Sequence, residues 1–305
     1  KRMLDKVLSE NQPLEESLKE KDKQINRLQM QIKLSSNLSK ELERQKSLAL
    51  EAQEEIKKSI QYASRIQTAM LPTDLPKALE IAVFWKPLNV VGGDFYIIRD
   101  LGDQILIAVI DCTGHGVPGA LLSTLTNSIF DRIIHDENVK TAGDYLIAAH
   151  NIISTLLGQH ADKKVKSHDG FDGSVCLLHK ENKKLSFAGA RSSIILISKN
   201  GEKIELNGNR KSVGGSRTPL DYPFETHEQS LEDRILVMYT DGITDVMSEA
   251  PSSLLFGKEK FWEALSLWHG DNLQKIIKNI EIALENHRNT EPYRDDMTLL
   301  VSKFD

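Results

Sequence analysis

Two rhythms divide the chain. Up to Met70 apolar side chains return every seven residues; beyond about Leu79, short apolar or alternating runs are separated by glycine, proline and asparagine. In the first part Val7, Leu14, Leu28, Leu42, Ala49, Ile56, Ala63 and Met70 share one heptad position. Leu4, Leu18, Ile25, Ile32 and Ile60 share its companion, which is weakened by Asn11, Ser39, Lys46, Gln53 and Gln67. Leu34, Leu38 and Leu48 offer a shifted seam across the weak middle, as a stutter would. This pattern predicts a long helix in a coiled coil, with two strands the simplest assembly. Asn11-Gln12-Pro13 followed by Glu15 and Glu16 predicts a helix start there, and Leu71-Pro72 a stop.

From Leu79 the pattern predicts strands at Glu80 to Lys86, Phe95 to Ile98 and Ile105 to Ile110. Two helices follow, Ala120 to Ile134 and Thr141 to Leu157, with Thr141 as N-cap. His160 to Gly170 reads as a polar loop. Further strands are expected at Gly173 to His179, Leu185 to Ala188, Ile194 to Ser198, Lys203 to Leu206 and Arg234 to Tyr239. Helices at Lys258 to Trp268 and Leu273 to His287 and a strand at Leu299 to Phe304 close the chain. Strands that hairpin together and helices in pairs predict an α+β sandwich.

Bulk composition narrows the function. With 39 basic and 44 acidic residues the formal charge is −5, which leaves no nucleic-acid footprint. No apolar run approaches the roughly 18 to 20 residues that span a bilayer. Cys112 and Cys176 are the two cysteines and lack metal-type spacing, which points to a reducing, cytoplasmic compartment. The chain opens at Lys1 in mid-pattern, so an upstream sensor region, itself membrane-bound or not, is expected before it.

The candidate chemistry lies at strand ends. Asp94 follows Gly92-Gly93 at the start of one strand and Asp111 ends the next, so antiparallel pairing would bring the two together. Paired carboxylates repel unless a cation lies between them, and an oxygen-only site suits Mg²⁺ or Mn²⁺. The glycine-rich Cys112-Thr113-Gly114-His115-Gly116 could add a main-chain carbonyl. Asp241 repeats the strand-Asp-Gly grammar of Asp111, and Asp295 and Asp296 precede a strand as Asp94 does. One such Asp is a turn residue by default; four positions from separate parts of the chain predict convergence on one sheet edge.

The motifs VGGDFY, DCTGHG, YTDG and RDDMT, in this order, resemble the metal-dependent protein phosphatase family (PPM, type 2C), in its bacterial SpoIIE-type branch. The likeness covers about Leu79 to Asp305, and IQTAMLP before it is similar to the linker helix of such proteins. It implies a four-layer αββα sandwich over 75–305, preceded by a dimerising, signal-relaying coiled coil over 1–70. It implies two Mn²⁺ or Mg²⁺ ions, with Asp111 bridging, Asp94 and the Cys112 carbonyl on one, and Asp241 and Asp295 on the other. Asp296 is the weaker alternative to Asp295. The activity implied is hydrolysis of phosphoserine or phosphothreonine on a protein by a metal-activated water, without a protein nucleophile, the substrate being a STAS-type anti-sigma antagonist. A non-catalytic scaffold of the same fold is the rival reading. Ile97 replaces an aspartate that many relatives carry. His115 as general acid or loop-ordering group, Lys86 as phosphate binder and Asp245 as edge or loop carboxylate stay unassigned.

Overall fold

The computed structural model describes residues 2–160, 167–251, 253–266 and 272–304, with side chains from 16 onward and at Leu14. It forms two compact units, Lys1–Ser59 and Ile60–Asp305. The first is helix α1 (Arg2–Met70) up to Ser59. Its seam residues Leu14, Leu18, Ile25, Leu28, Ile32 and Leu42 are all exposed. The helix runs through Asn11-Gln12-Pro13 without a break, so the start expected at Pro13 is not observed. Proline withholds one backbone hydrogen bond, a small part of a helix of 69 residues. The side chains of Leu4 and Val7 lie outside the described residues.

The second unit is two antiparallel sheets with helices on both outer faces. One sheet has the order β1 (Leu79–Lys86), β11 (Met297–Phe304), β10 (Arg234–Tyr239), β6 (Ser193–Ser198) and β7 (Lys203–Asn207). The other has β2 (Asp94–Asp100), β3 (Gln104–Cys112), β4 (Gly170–His179), β5 (Lys184–Ala190) and β9 (His227–Ser230). The short β8 (Val213–Gly214) pairs with the start of β4. Neither β8 nor β9 is visible in the apolar pattern. They are two and four residues long and carry too few apolar positions to signal.

Strand β3 shows why its run is continuously apolar. Ile105, Ile107 and Val109 face the other sheet, while Leu106, Ala108 and Ile110 face helices, so no position meets water. Between the sheets they join Cys176, Phe187, Leu196, Met238 and Leu300. On the far face Phe130, Leu146 and Phe171 tie in α2 (Gly116–Ile133) and α3 (Ala142–Leu156). On the opposite outer face Val237, Phe261, Ile277 and Leu284 tie in α4 (Gly257–Ser266) and α5 (Leu273–Arg288). Trp262 packs against that cluster, and Trp268 lies outside the described residues. Thr141 starts α3 with a reciprocal cap: its side chain accepts from Asp144 N, and the Asp144 carboxylate accepts from Thr141 N at 2.8 Å.

Helix α3 also buries His150, fully enclosed. Its Nδ1 accepts from Gly214 N at 2.9 Å, so Nε2 carries the proton and donates to the Pro219 carbonyl at 3.0 Å. Burial first, and the nearby His160, hold its pKa below the usual value. The unfolded chain therefore takes up this proton before the folded one. The stabilisation is complete above roughly pH 6.5 and is lost as pH falls below it. The buried carboxylates Asp94 and Asp111, whose pKa values are raised, gain stability over the same range, so the His150 effect is read as a difference: the melting temperature of His150→Gln minus that of the parent should grow on acidification from pH 7 to 5. A difference that stays constant between pH 7 and 5 would show that His150 carries none of this pH dependence.

Candidate metal centre

The register of β2 on β3 sets Asp94 opposite Asp111. The next pair in the sheet sets Asp111 opposite Asp172 of β4. Asp241 follows β10 and Asp295-Asp296 precede β11, and those two strands are neighbours in the other sheet. Five strand ends thus deliver carboxylates to one edge of the sandwich.

Asp94 is buried at 1% exposure. One of its oxygens, Oδ2, accepts from Thr240 Oγ1 at 2.6 Å and Thr298 Oγ1 at 2.9 Å. The two threonines are themselves locked, since Thr298 N donates to Thr240 Oγ1 at 2.9 Å and Thr240 N to Thr298 O at 3.0 Å. This orients Asp94 and leaves Oδ1 without a hydrogen-bond partner among the described residues. Burial is the main force that lifts its pKa to about 7, with Asp296 and Asp295 adding to the lift and the threonine hydroxyls opposing it. Asp111 is pushed to about 9 by burial and then by Asp94, Asp241, Asp295 and Asp172. Asp241 and Asp295 stand at the open rim, yet lost hydration and neighbouring carboxylates raise both. Asp245 adds to the lift on Asp241 and Asp295, and the Asp295 lift is opposed by His115. The unassigned Asp245 and His115 therefore sit within electrostatic reach of this edge.

Such a set needs protons or a cation. Among the described residues no group of three or more acidic, histidine or cysteine side chains is placed to hold a metal ion. Mg²⁺ or Mn²⁺ does not require one: it keeps several waters and binds through one or two carboxylates. The open Asp94 oxygen, the adjacent Asp111 and the main chain at Cys112 fit that style of ligation. The backbone comes close because three glycines allow it. A Cβ on Gly93 would stand 2.6 Å from the Cys112 carbonyl oxygen, and one on Gly119 2.1 Å from the Gly114 carbonyl oxygen.

Asp296 has a different occupation. Its Oδ1 accepts from Leu88 N and its Oδ2 from Gly93 N, both at 2.6 Å. It clamps the loop before β2, and a Cβ on Gly92 would collide with it at 2.6 Å. Lys86 points elsewhere: its Nζ is 3.8 Å from Glu285 and 4.0 Å above the Tyr293 ring. A phosphate-binding role for Lys86 has no support in this geometry. His115 precedes α2, with Nδ1 3.3 Å from Asn89 Nδ2.

Two residues of the edge escape a reading of the sequence. Asp172 looks like any Asp before glycine until β4 is paired with β3. It forms an ion pair with Arg191, Nε to Oδ2 3.1 Å, and both line a cleft of about 150 Å³ with Asp111, Asp241, Ser193 and Lys258. Gln67 is the other. It lies in the last turns of α1 at 4% exposure. Its Nε2 donates to the Gly92 carbonyl (2.6 Å) and Ser123 Oγ (3.0 Å), and its Oε1 accepts from Gly92 N at 3.2 Å. A polar residue at a seam position was the available signal.

The family model described as Stage II sporulation protein E (SpoIIE) matches residues 102–305. Among curated proteins, phosphoserine phosphatase RsbU of Bacillus subtilis (strain 168) is 23% identical over 263 residues, 82% of this chain and 71% of that protein. Among solved structures, the SiaA-PP2C domain of Pseudomonas aeruginosa is 30% identical with a TM-score of 0.73, covering 83% of this chain and 99% of that one. RsbX in complex with magnesium shares the fold, with a TM-score of 0.52 at 14% identity over 76% of this chain and 98% of that one.

Asp111→Asn removes the most strongly lifted charge of the edge. Without metal it should raise stability by about 1 kcal/mol, some 2–4 °C in a domain of this size. It should also abolish the rise in melting temperature that Mn²⁺ produces in the parent chain. Thermal melts with and without Mn²⁺ decide this; a variant that melts lower without metal and gains as much from Mn²⁺ contradicts it.

Proposed function

The chain belongs to the SpoIIE family of PP2C-type, metal-dependent phosphatases, and from that premise we propose that it dephosphorylates serine or threonine on a signalling protein at the edge built by Asp94, Asp111, Asp241 and Asp295. The observation that carries the reading is the pairing of Asp94 with Asp111 across β2 and β3, with Asp241 and Asp295 brought alongside from the other sheet. Two Mn²⁺ or Mg²⁺ ions suit this donor set. Asp111 would serve both, Asp94 and the Cys112 carbonyl one, Asp241 and Asp295 the other, while Asp296 holds the loop instead of a metal.

Bound there, the cations supply a water acidic enough to attack phosphorus and positive charge against the phosphoryl oxygens. The chain's own groups do the positioning. Thr240 and Thr298 fix the Asp94 carboxylate, Asp296 fixes the backbone of Gly93, and the glycines let the Cys112 carbonyl approach. No serine or cysteine nucleophile is required. A non-catalytic scaffold would have no use for so costly a set of buried carboxylates. The substrate class is a phosphorylated regulatory protein, and a STAS-type antagonist is the member the motif resemblance suggests.

The helix before the domain is the control element in this reading. Its exposed heptad seam is suited to a homodimer, and an upstream sensor would act through it. The contact is Gln67, which bonds both backbone groups of Gly92, two residues before Asp94, and reaches Ser123 on α2. A turn of the helix would thus shift the loop that carries a proposed ligand. The two free, buried cysteines suit the cytoplasm, and no helix among the described residues is long and apolar enough to cross a membrane.

Hydrolysis of p-nitrophenyl phosphate with and without Mn²⁺ tests the reading. The parent should turn over only with Mn²⁺. Asp94→Asn should lose at least 100-fold in kcat, an effect of the order produced by losing a group that stabilises developing charge. Gln67→Ala should require more Mn²⁺ for half-maximal rate while binding the same number of ions. Metal-independent turnover, or full activity in Asp94→Asn, overturns the assignment; an unchanged Mn²⁺ requirement in Gln67→Ala removes the linker from control.

A further inference from the structure

The carboxylate edge has a basic border that its own chemistry does not explain. From Asn207 to Thr218 the chain reads NGNRKSVGGSRT: Arg210, Lys211 and Arg217, with no acidic residue, in a chain of net charge −5. Arg210 and Arg217 are exposed and Lys211 half-buried. Among the described residues no carboxylate comes within ion-pairing distance of any of the three. Lys211 Nζ turns to the Arg217 carbonyl at 3.2 Å. They line a surface cleft of about 310 Å³ together with His168 and Arg191, and Arg191 also lines the cleft that holds Asp111 and Asp241. The basic strip and the carboxylate edge are therefore continuous, with Arg191 where they meet.

The strip is held in place by buried bonds. Strand β8 pairs Val213 and Gly214 with Phe171 and Gly170, one residue from Asp172 on the same strand. Gly214 N donates to His150 Nδ1 at 2.9 Å and Gly215 N to Gln159 Oε1 at 2.7 Å. At the inner end Arg191 adopts a left-handed φ of 49°, which costs a non-glycine residue energy and persists only when surroundings enforce it. Here Arg191 N donates to Asn209 O at 2.7 Å, and Asn209 N to Gly189 O at 2.8 Å. A Cβ on Gly208 would stand 2.4 Å from Gly189 Cα, so the two segments touch backbone to backbone.

We propose that Arg210, Lys211 and Arg217, with Arg191 at the inner end, form a docking strip for an acidic segment of the phosphoprotein substrate, adjacent to its phosphorylated residue. The inference rests on the phosphatase reading and adds to it a substrate preference. Like charges left unpaired at a surface repel one another and favour an oppositely charged partner. A nucleic acid fits poorly, because Asp111, Asp172 and Asp241 at the inner end repel a continuous phosphate backbone. An acidic peptide that carries its phosphoryl group inward meets the basic strip with its flank alone. The acidic residues that flank the strip in sequence are Glu205, which pairs with Lys258 at 2.6 Å, and Asp221; Asp169, whose backbone adjoins Gly214, accepts from Ser167 Oγ at 2.6 Å.

The probe is a pair of synthetic phosphoserine peptides of equal length, one flanked by Asp and Glu, the other by Asn and Gln, assayed with Mn²⁺. The parent should favour the acidic peptide by about tenfold in kcat/KM, mainly through KM, the scale of three exposed charge pairs. The preference should shrink as salt rises from 0.05 to about 0.5 M, where screening shortens to a few ångströms. Charge reversal by Arg210→Glu, Lys211→Glu and Arg217→Glu together should abolish or invert it, whereas Arg210→Lys with Arg217→Lys should keep it. Equal rates of the parent on both peptides overturn the proposal, as does an undiminished preference in the charge-reversed protein. A strip that binds single-stranded DNA more tightly than the acidic peptide overturns it too. If charge reversal prevents folding, Arg210→Gln with Lys211→Gln replaces it, and the salt dependence of the parent's preference decides independently. Loss of all Mn²⁺-dependent hydrolysis of p-nitrophenyl phosphate by the parent would instead refute the phosphatase reading beneath it.

Discussion

Electrostatic repulsion between carboxylates that the sheet register forces together is the constraint on which the rest of this structure depends. Asp94 and Asp111 cannot move apart without slipping β2 against β3, and a slip of one residue would turn the core side chains of β2, Phe95, Ile97 and Ile98, to the wrong face. The core between the sheets and under α2 and α3 therefore holds the charges in place. Burial and mutual repulsion raise Asp94 to about 7 and Asp111 to about 9, which is stored demand for a proton or a cation. The surrounding hydrogen bonds are spent on orientation: two threonine hydroxyls hold one oxygen of Asp94, and Asp296 binds the backbone of Leu88 and Gly93.

Close backbone approach is the second requirement, and it connects the site to the helix that precedes it. Gly92, Gly93 and Gly119 each stand where a Cβ would overlap a neighbour, so the loops before β2 and after β3 touch with nothing between them. Gln67 bonds Gly92 on both sides of its peptide and Ser123 on α2. The end of the linker helix, the glycine loop and the start of α2 thus form one hydrogen-bonded group beside the carboxylates.

Much of this was legible in the residues because it is local. The continuous apolar run of β3, the alternating run of β1 and the cap at Thr141 mark their elements directly, and strand-Asp-Gly grammar marks Asp111 and Asp241. What escaped depends on distant pairing. Asp172 joins the edge through the register of β4 on β3, and nothing near it in sequence says so. Strand β8, which anchors the basic strip, is two residues long and without periodicity. Pro13 looked like a helix start because local signals favour one there, but the helix continues through it. Gln67 reads as a flaw in a heptad seam; only the fold shows that its amide has a backbone partner. Asp296 looks equivalent to Asp295 in sequence, and the difference lies in the two amide protons that reach it.

In the proposed site one carboxylate, Asp111, is shared by two cations at the edge of the sandwich. Diffraction from crystals grown with Mn²⁺, recorded at the manganese absorption edge, addresses it directly. Two anomalous peaks are expected, both in contact with Asp111, one also touching Asp94 and the other Asp241 or Asp295. Peaks that avoid Asp111, or a single ion held by Asp296, would contradict it.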